Sequence, residues 1–201
     1  MSEALQIKIE LMDMHYKVKR ELLIPTDYTL LGLHCVLQTI FEWENTHLFS
    51  FELGAKNAKS RGWELIEAEN YENDLVTKYL NSETKLRYIY DFGDDWGHDI
   101  KFVKILPKEI SYPICLKGEG VGPEEDSGGA SGFCYMMDVI KDPSHSEYED
   151  VRDWLGLEEG EEYVQPVFDL QNLNEVLAYN FADGYPEDMI DLFHEMQEYL
   201  Q

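Results

Sequence analysis

Alternation of apolar and polar residues is the feature that most constrains this chain. Leu5–Leu11 reads LQIKIEL, with Leu5, Ile7, Ile9 and Leu11 separated by polar residues. A period of two puts the apolar side chains on one face of a strand and leaves the other face wet. Tyr16–Ile24 (YKVKRELLI) supplies an antiparallel partner that Pro25 ends. His47–Leu53 (HLFSFEL), Lys85–Phe92 (KLRYIYDF) and Asp99–Leu106 (DIKFVKIL) read as further strands, and Ile114–Lys117 as a short one. The last two long strands are joined by Gly93–His98 (GDDWGH), a run of turn-forming residues.

A second period covers the sheet. In Thr29–Trp43 the residues Leu30, Leu33, Val36, Leu37, Ile40 and Phe41 recur at helical spacing, which predicts a central helix with Thr26 or Asp27 at its N-cap. His34 lies beside that apolar stripe and reads as a packed histidine rather than a ligand. Residues 54–70, with Arg61-Gly62 inside, read as a polar surface loop, and Leu75–Leu80 as a short helix. A glycine-rich loop, Gly118–Gly132 (GEGVGPEEDSGGASG), opens a helical tail. It comprises Phe133–Lys141, a helix capped by Ser144 or Ser146 and running to about Leu155, Phe168–Tyr179 and Pro186–Leu200. Met189, Leu192, Phe193, Met196 and Leu200 share one face of the last helix. Strands with one early helix, followed by helices, make an α+β chain.

The chain has 41 acids against 16 bases, a formal net charge of -25. Residues 1–100 carry 18 acids and 10 bases, whereas residues 101–201 carry 23 and 6. Beyond Lys141, Arg152 stands alone against 17 acids. Such a field opposes contact with nucleic acid or anionic lipid, which are bound through Lys and Arg, and attracts cations or a basic protein surface. The same excess also serves solubility alone. Cys35, Cys115 and Cys134 are odd in number and widely spaced, so neither a disulfide framework nor a zinc knuckle is implied. The start, MSEALQIKIEL, lacks a basic region followed by an apolar run, and no stretch approaches the roughly 20 apolar residues of a membrane helix. The cytoplasm is the expected compartment.

The run YIYDFGDDWGH (Tyr88–His98), the later GPEEDSGG (Gly122–Gly129) and a segment from Asp142 to Glu147 resemble the Ri-plasmid open-reading-frame-3-like family. Glu42-Trp43 and His47-Leu48-Phe49 fit the helix end and the following strand of that family. The resemblance spans about residues 5–175. It implies a roll-like α+β domain, a mostly antiparallel sheet packed on an early central helix, with residues 176–201 as a helical extension packed on the same domain. It also implies an association with mobile elements. The family carries no established activity, although some members are labelled transposon resolvases. A serine recombinase needs an early nucleophilic serine and several arginines for phosphoryl charge. Here the early serine is Ser2 and the arginines are four, Arg20, Arg61, Arg87 and Arg152, so the residues argue against that chemistry. Val121-Gly122, Phe49 and Tyr148 stand where the family commonly has a cysteine and two histidines. A family metal site using those positions would have lost ligands in this chain.

Two acidic loops remain as a candidate site. Asp91, Asp94, Trp96 and His98 come from the first, and Glu124, Glu125 and Asp126 from the second. Carboxylates suit a hard divalent cation, with Asp94, His98 and Glu125 as the metal-ligating set, though no cofactor is required. The bland alternative is turn chemistry, since Asp and Gly build tight hairpins. The favoured function is therefore a non-enzymatic acidic binding or interaction protein with a basic protein surface as partner. The alternative is a metal-dependent, hydrolase-like enzyme using loops 91–99 and 119–126.

Overall fold

The computed structural model describes residues 2–57 and 62–199. Seven strands are present among them: β1 Ser2–Leu11, β2 Lys19–Pro25, β3 Phe49–Ala55, β4 Trp63–Ile66, β5 Thr84–Tyr90, β6 Trp96–Ile110 and β7 Ile114–Glu119. They form one sheet in the order β4-β3-β5-β6-β1-β2-β7, and every neighbouring pair is antiparallel. The helices are α1 Leu30–Phe41, α2 Val76–Tyr79, α3 Gly129–Val139, α4 Tyr148–Trp154, α5 Leu170–Phe181 and α6 Glu187–Tyr199. The chain is α+β, and no helix among the described residues is long and apolar enough to cross a membrane.

Alternation decides which face is covered. Leu5, Ile7, Ile9 and Leu11 of β1, Leu22 and Ile24 of β2, Leu86, Tyr88 and Tyr90 of β5, and Ile100 of β6 are all buried. The register aligns them, Ile7 opposite Leu22, Ile9 opposite Ile100 and Leu86 opposite Ile100. On the opposite face, Lys19 pairs with Glu10 at 2.7 Å, Lys85 with Asp99 at 3.1 Å, Arg87 with Glu52 at 3.2 Å and Lys117 with Glu21 at 3.1 Å. Cross-strand pairs of opposite charge stabilise a sheet, and here they let Lys85 and Glu21 be largely buried.

Helix α1 carries no charged residue and is buried along its whole length. A helix apolar all round must be covered on both sides. The sheet covers one side, and the tail covers the other through α5, whose Leu177 and Phe181 are fully buried. Polar residues trapped in this layer are therefore paired. His34 Nε2–H donates to Asn45 Oδ1 (2.7 Å), because an amide oxygen only accepts; Nδ1 then accepts from the Tyr88 hydroxyl (2.8 Å). Gln38 Nε2 also donates to that hydroxyl, at 2.9 Å.

Several boundaries differ from the sequence reading. The N-cap of α1 is Thr29, whose hydroxyl accepts from Gly32 N at 3.2 Å; Thr26 and Asp27 sit in the turn before it, where Tyr28 N donates to Pro25 O. The polar stretch 54–70 contains β4, which pairs with β3 and places Ile66 in the core opposite Phe51. The turn before β6 is complete at Asp95, so Trp96 and His98 belong to the strand rather than to the connection. Arg61 and Leu200 lie outside the described residues.

Candidate functional site

Three segments meet at one end of the sheet: the entry to β3, the β5–β6 turn and the loop leading into α3. The turn is built by aspartates. Asp91 (φ 55°) and Asp95 (φ 55°) take the left-handed conformation that Asp tolerates better than most residues. Gly93 N donates to the Asp91 carboxylate at 2.8 Å, and Asp95 N to the Asp91 carbonyl at 2.6 Å. Asp91 N donates to Leu48 O (2.9 Å), which fastens the turn to the segment carrying His47.

The second loop is pinned to this turn and to the end of α1. Gly128 N donates to the Asp94 carboxylate at 3.1 Å. Gly129 has φ 68°, and a Cβ there would collide with the Asp94 carbonyl oxygen, so glycine is what allows the two loops to touch. Trp43 Nε1 donates to Pro123 O at 2.9 Å, and Ser127 Oγ to Glu124 O at 2.7 Å. Glu125 is a clasp: its carboxylate accepts from Glu44 N at 2.7 Å and from the Tyr90 hydroxyl. Burial, with the Glu125 carboxylate adding to it, pushes the Tyr90 hydroxyl above its usual range.

Among the described residues, one group of His, Cys, Asp and Glu side chains brings three ligand atoms within 4.8 Å of one another: His47, Asp91 and Asp126. His47 Nδ1 lies 3.8 Å from Asp91 Oδ2, and Nε2 lies 3.3 Å from Asp126 Oδ1. The His47 side chain is 28% exposed and that of Asp126 is 74% exposed, so the group opens to solvent on the Asp126 side.

The sequence candidates therefore separate. Asp91 and Asp126 come together. Asp94 and Glu125 are engaged by backbone amides that hold the loops, and Glu124 lines a cleft with Tyr16, Phe133 and Tyr163. Trp96 is buried beside Trp43, with ring centroids 5.9 Å apart. His98 has no exposed surface and sits among Phe41, Trp43 and Tyr88. Its Nδ1–H faces Tyr88 O at 3.4 Å, and burial lowers the ring to about 3. The set Asp94, His98 and Glu125 is thus not a cluster, because strand parity turns His98 inward with Tyr88 and Tyr90. In the sequence His47 reads only as the start of a strand. The signal available was its position just ahead of β3, whose register sets Phe49 opposite Tyr90 and so brings His47 near Asp91.

Comparisons with known proteins give a family without an activity. The uncharacterized protein y4hQ of Sinorhizobium fredii is 27% identical over 164 residues, covering 77% of this chain and 82% of that protein. The crystal structure of MM3350 from Methanosarcina mazei Go1, a protein of unknown function, superposes with a TM-score of 0.72 at 30% identity, covering 86% of this chain and 98% of the other. The family described as "Plasmid pRiA4b ORF-3-like protein" matches residues 3–175, and this chain belongs to it.

Proposed function

We propose that the protein is a binding protein that holds a divalent cation at the acidic end of its sheet, between His47, Asp91 and Asp126. One observation carries the reading: an imidazole nitrogen and two carboxylate oxygens lie within 4.8 Å of one another. Metal–ligand distances of about 2.0–2.2 Å place ligands of one ion roughly 3–4 Å apart, so small side-chain movements close the group on an ion. A mixed nitrogen and oxygen set suits Zn²⁺ or Mn²⁺ better than Ca²⁺, which prefers oxygen alone. The loops are held by Asp94, Glu125 and Gly129, and such supporting contacts keep ligands near their working positions. The reading assumes the cytoplasm as compartment.

Titration calorimetry of chelator-treated protein with Zn²⁺ and Mn²⁺ tests it. One site per chain is expected, with His47→Ala and Asp91→Asn each lowering affinity at least about tenfold, the scale of losing one ligand interaction of 1.4 kcal/mol or more. Equal binding by wild type and both variants would overturn the assignment.

A second reading has its own observation. A groove of about 510 Å³ between the α1–β3 connection and α6 is lined by Glu44, Asp188, Asp191 and Glu195 over Trp43 and Leu192, with no basic residue in its lining. Such a groove suits the lysine or arginine side chains of a basic protein surface, whose aliphatic stems pack on apolar ground while their heads meet carboxylates.

A further inference from the structure

Arg20 is a buried arginine held by main-chain carbonyls and by the Phe41 and Phe168 rings, with one edge of its guanidinium left over. It lies on the covered face of β2, opposite Ile9 and Gly118, and is only 3% exposed. In a chain with 41 acids it forms no ion pair with any described residue. Its Nη1 is fully used, donating to the carbonyls of Lys19 (2.8 Å), Glu119 (3.1 Å) and Gly120 (2.8 Å). Its Nε has no hydrogen-bond partner, and no hydrogen bond is made by Nη2 among the described residues. Nε–H and Nη2–H form the parallel pair of donors that an arginine offers to a carboxylate. Leaving a buried charged donor unsatisfied is costly, so such an edge calls for a partner.

The surroundings supply a place for one. The guanidinium carbon lies 4.1 Å from the Phe168 ring centroid, and Phe168 and Arg20 both line a cleft of about 170 Å³. The cleft sits between β2, the end of α1 and the start of α5. Gly118, opposite Arg20 on β7, leaves room for the Phe168 ring, which a Cβ there would strike. Ile40 and Leu173 give the cleft an apolar wall, and both are almost fully buried. Two exposed carboxylates, Glu42 and Asp169, line the same cleft. A simple anion such as phosphate would meet both of them. A ligand carrying a carboxylate and an ammonium within a few bonds satisfies all three charges.

We propose that this cleft binds a small α-amino acid, its carboxylate on the Nε/Nη2 edge of Arg20, its ammonium against Glu42 and Asp169, and an apolar side chain against Ile40 and Leu173. The site is separate from the His47 group and does not depend on it. Arg20 also holds the β2–β7 edge, so Arg20→Lys is the variant of choice, because it keeps a charge and a donor but loses the paired edge. Glu42 and Asp169 are exposed, and Asp169→Asn preserves the N-cap of α5.

The experiment is NMR of the full chain labelled at arginine side chains, titrated with L-valine, acetate and methylammonium. The expected result is a saturable shift of the Arg20 Nε–H signal with L-valine. Glu42→Gln combined with Asp169→Asn should weaken that binding at least tenfold while leaving any acetate effect unchanged. Arg20→Lys should abolish the saturable response to L-valine, read from backbone amides of Asn172 and Leu173. No saturable shift with L-valine at millimolar concentration would overturn the proposal. Equal response to acetate and L-valine would overturn the amino-acid assignment and leave a plain carboxylate site.

Discussion

At the scale of single residues, the two core histidines make stability depend on acid. An ordinary imidazole titrates near 6.5, and burial lowers His34 and His98 to about 3. Between those values the unfolded chain takes up a proton at each ring that the folded chain refuses. Their contribution is therefore whole above about pH 6.5 and declines as pH falls toward 3, by about 1.4 kcal/mol per pH unit for each ring. His98 is the better one to remove, because its Nε2 has no hydrogen-bond partner, whereas His34 is bonded at both nitrogens. His98→Leu should cost only about 1 kcal/mol at neutral pH. Urea unfolding between about pH 6 and pH 4.5 should then show a pH slope shallower by roughly one proton. The same slope in variant and wild type would mean that His98 is protonated in the folded protein.

At the scale of elements, the decisive contact is the one between the β5–β6 turn and the entry to α3. It rests on Gly129, whose φ of 68° and closeness to the Asp94 carbonyl exclude any side chain. Gly156 offers the comparison, with the same φ of 68° and nothing within 4 Å of a Cβ. Gly156→Ala should lose about 1 kcal/mol, the cost of a left-handed alanine. Gly129→Ala should lose that and more, about 2–4 kcal/mol in all, because the turn must move away. It should also weaken metal binding, since Asp91 and Asp126 sit on the two elements being parted. Equal losses for the two variants, measured by thermal or denaturant unfolding, would show that the loop contact contributes nothing.

At the scale of the whole molecule, charge and layering are linked. The tail that covers α1 is also the most acidic part of the chain, and α6 begins with Glu187 and Asp188, which suit a helix N-terminus. Phe193 is buried against Phe49 and Tyr71, so this acidic helix is fixed to the core rather than free. A lysine-rich peptide should bind the α6 groove weakly and lose affinity steeply as salt rises, because exposed charges are screened within about 8 Å at physiological ionic strength. Asp188→Asn with Asp191→Asn and Glu195→Gln should reduce that affinity and flatten its salt dependence. Binding that ignores both salt and the triple substitution would dispose of the groove as a cation-seeking surface.

The sequence by itself determined six of the seven described strands, the central helix, the helical tail and the uneven charge, because side-chain periodicity and charge are properties of neighbouring residues. LQIKIEL lies in β1 and KLRYIY in β5, both inside the sheet, and TLLGLHCVLQTIF is the buried helix between sheet and tail. Period two sets Arg20 in one row with Val18, Leu22 and Ile24, but nothing local to that row tells what its charge meets. Tertiary structure decided which histidine meets the acids. The turn closes at Asp95 rather than beyond His98, and strand parity then sends His98 into the core. His47 reaches Asp91 and Asp126 because β3 lies beside β5, and Arg20 meets Phe168 because α5 folds back on β7. These contacts join residues tens of positions apart, and their placement follows from sheet order and layer packing, which no local period encodes.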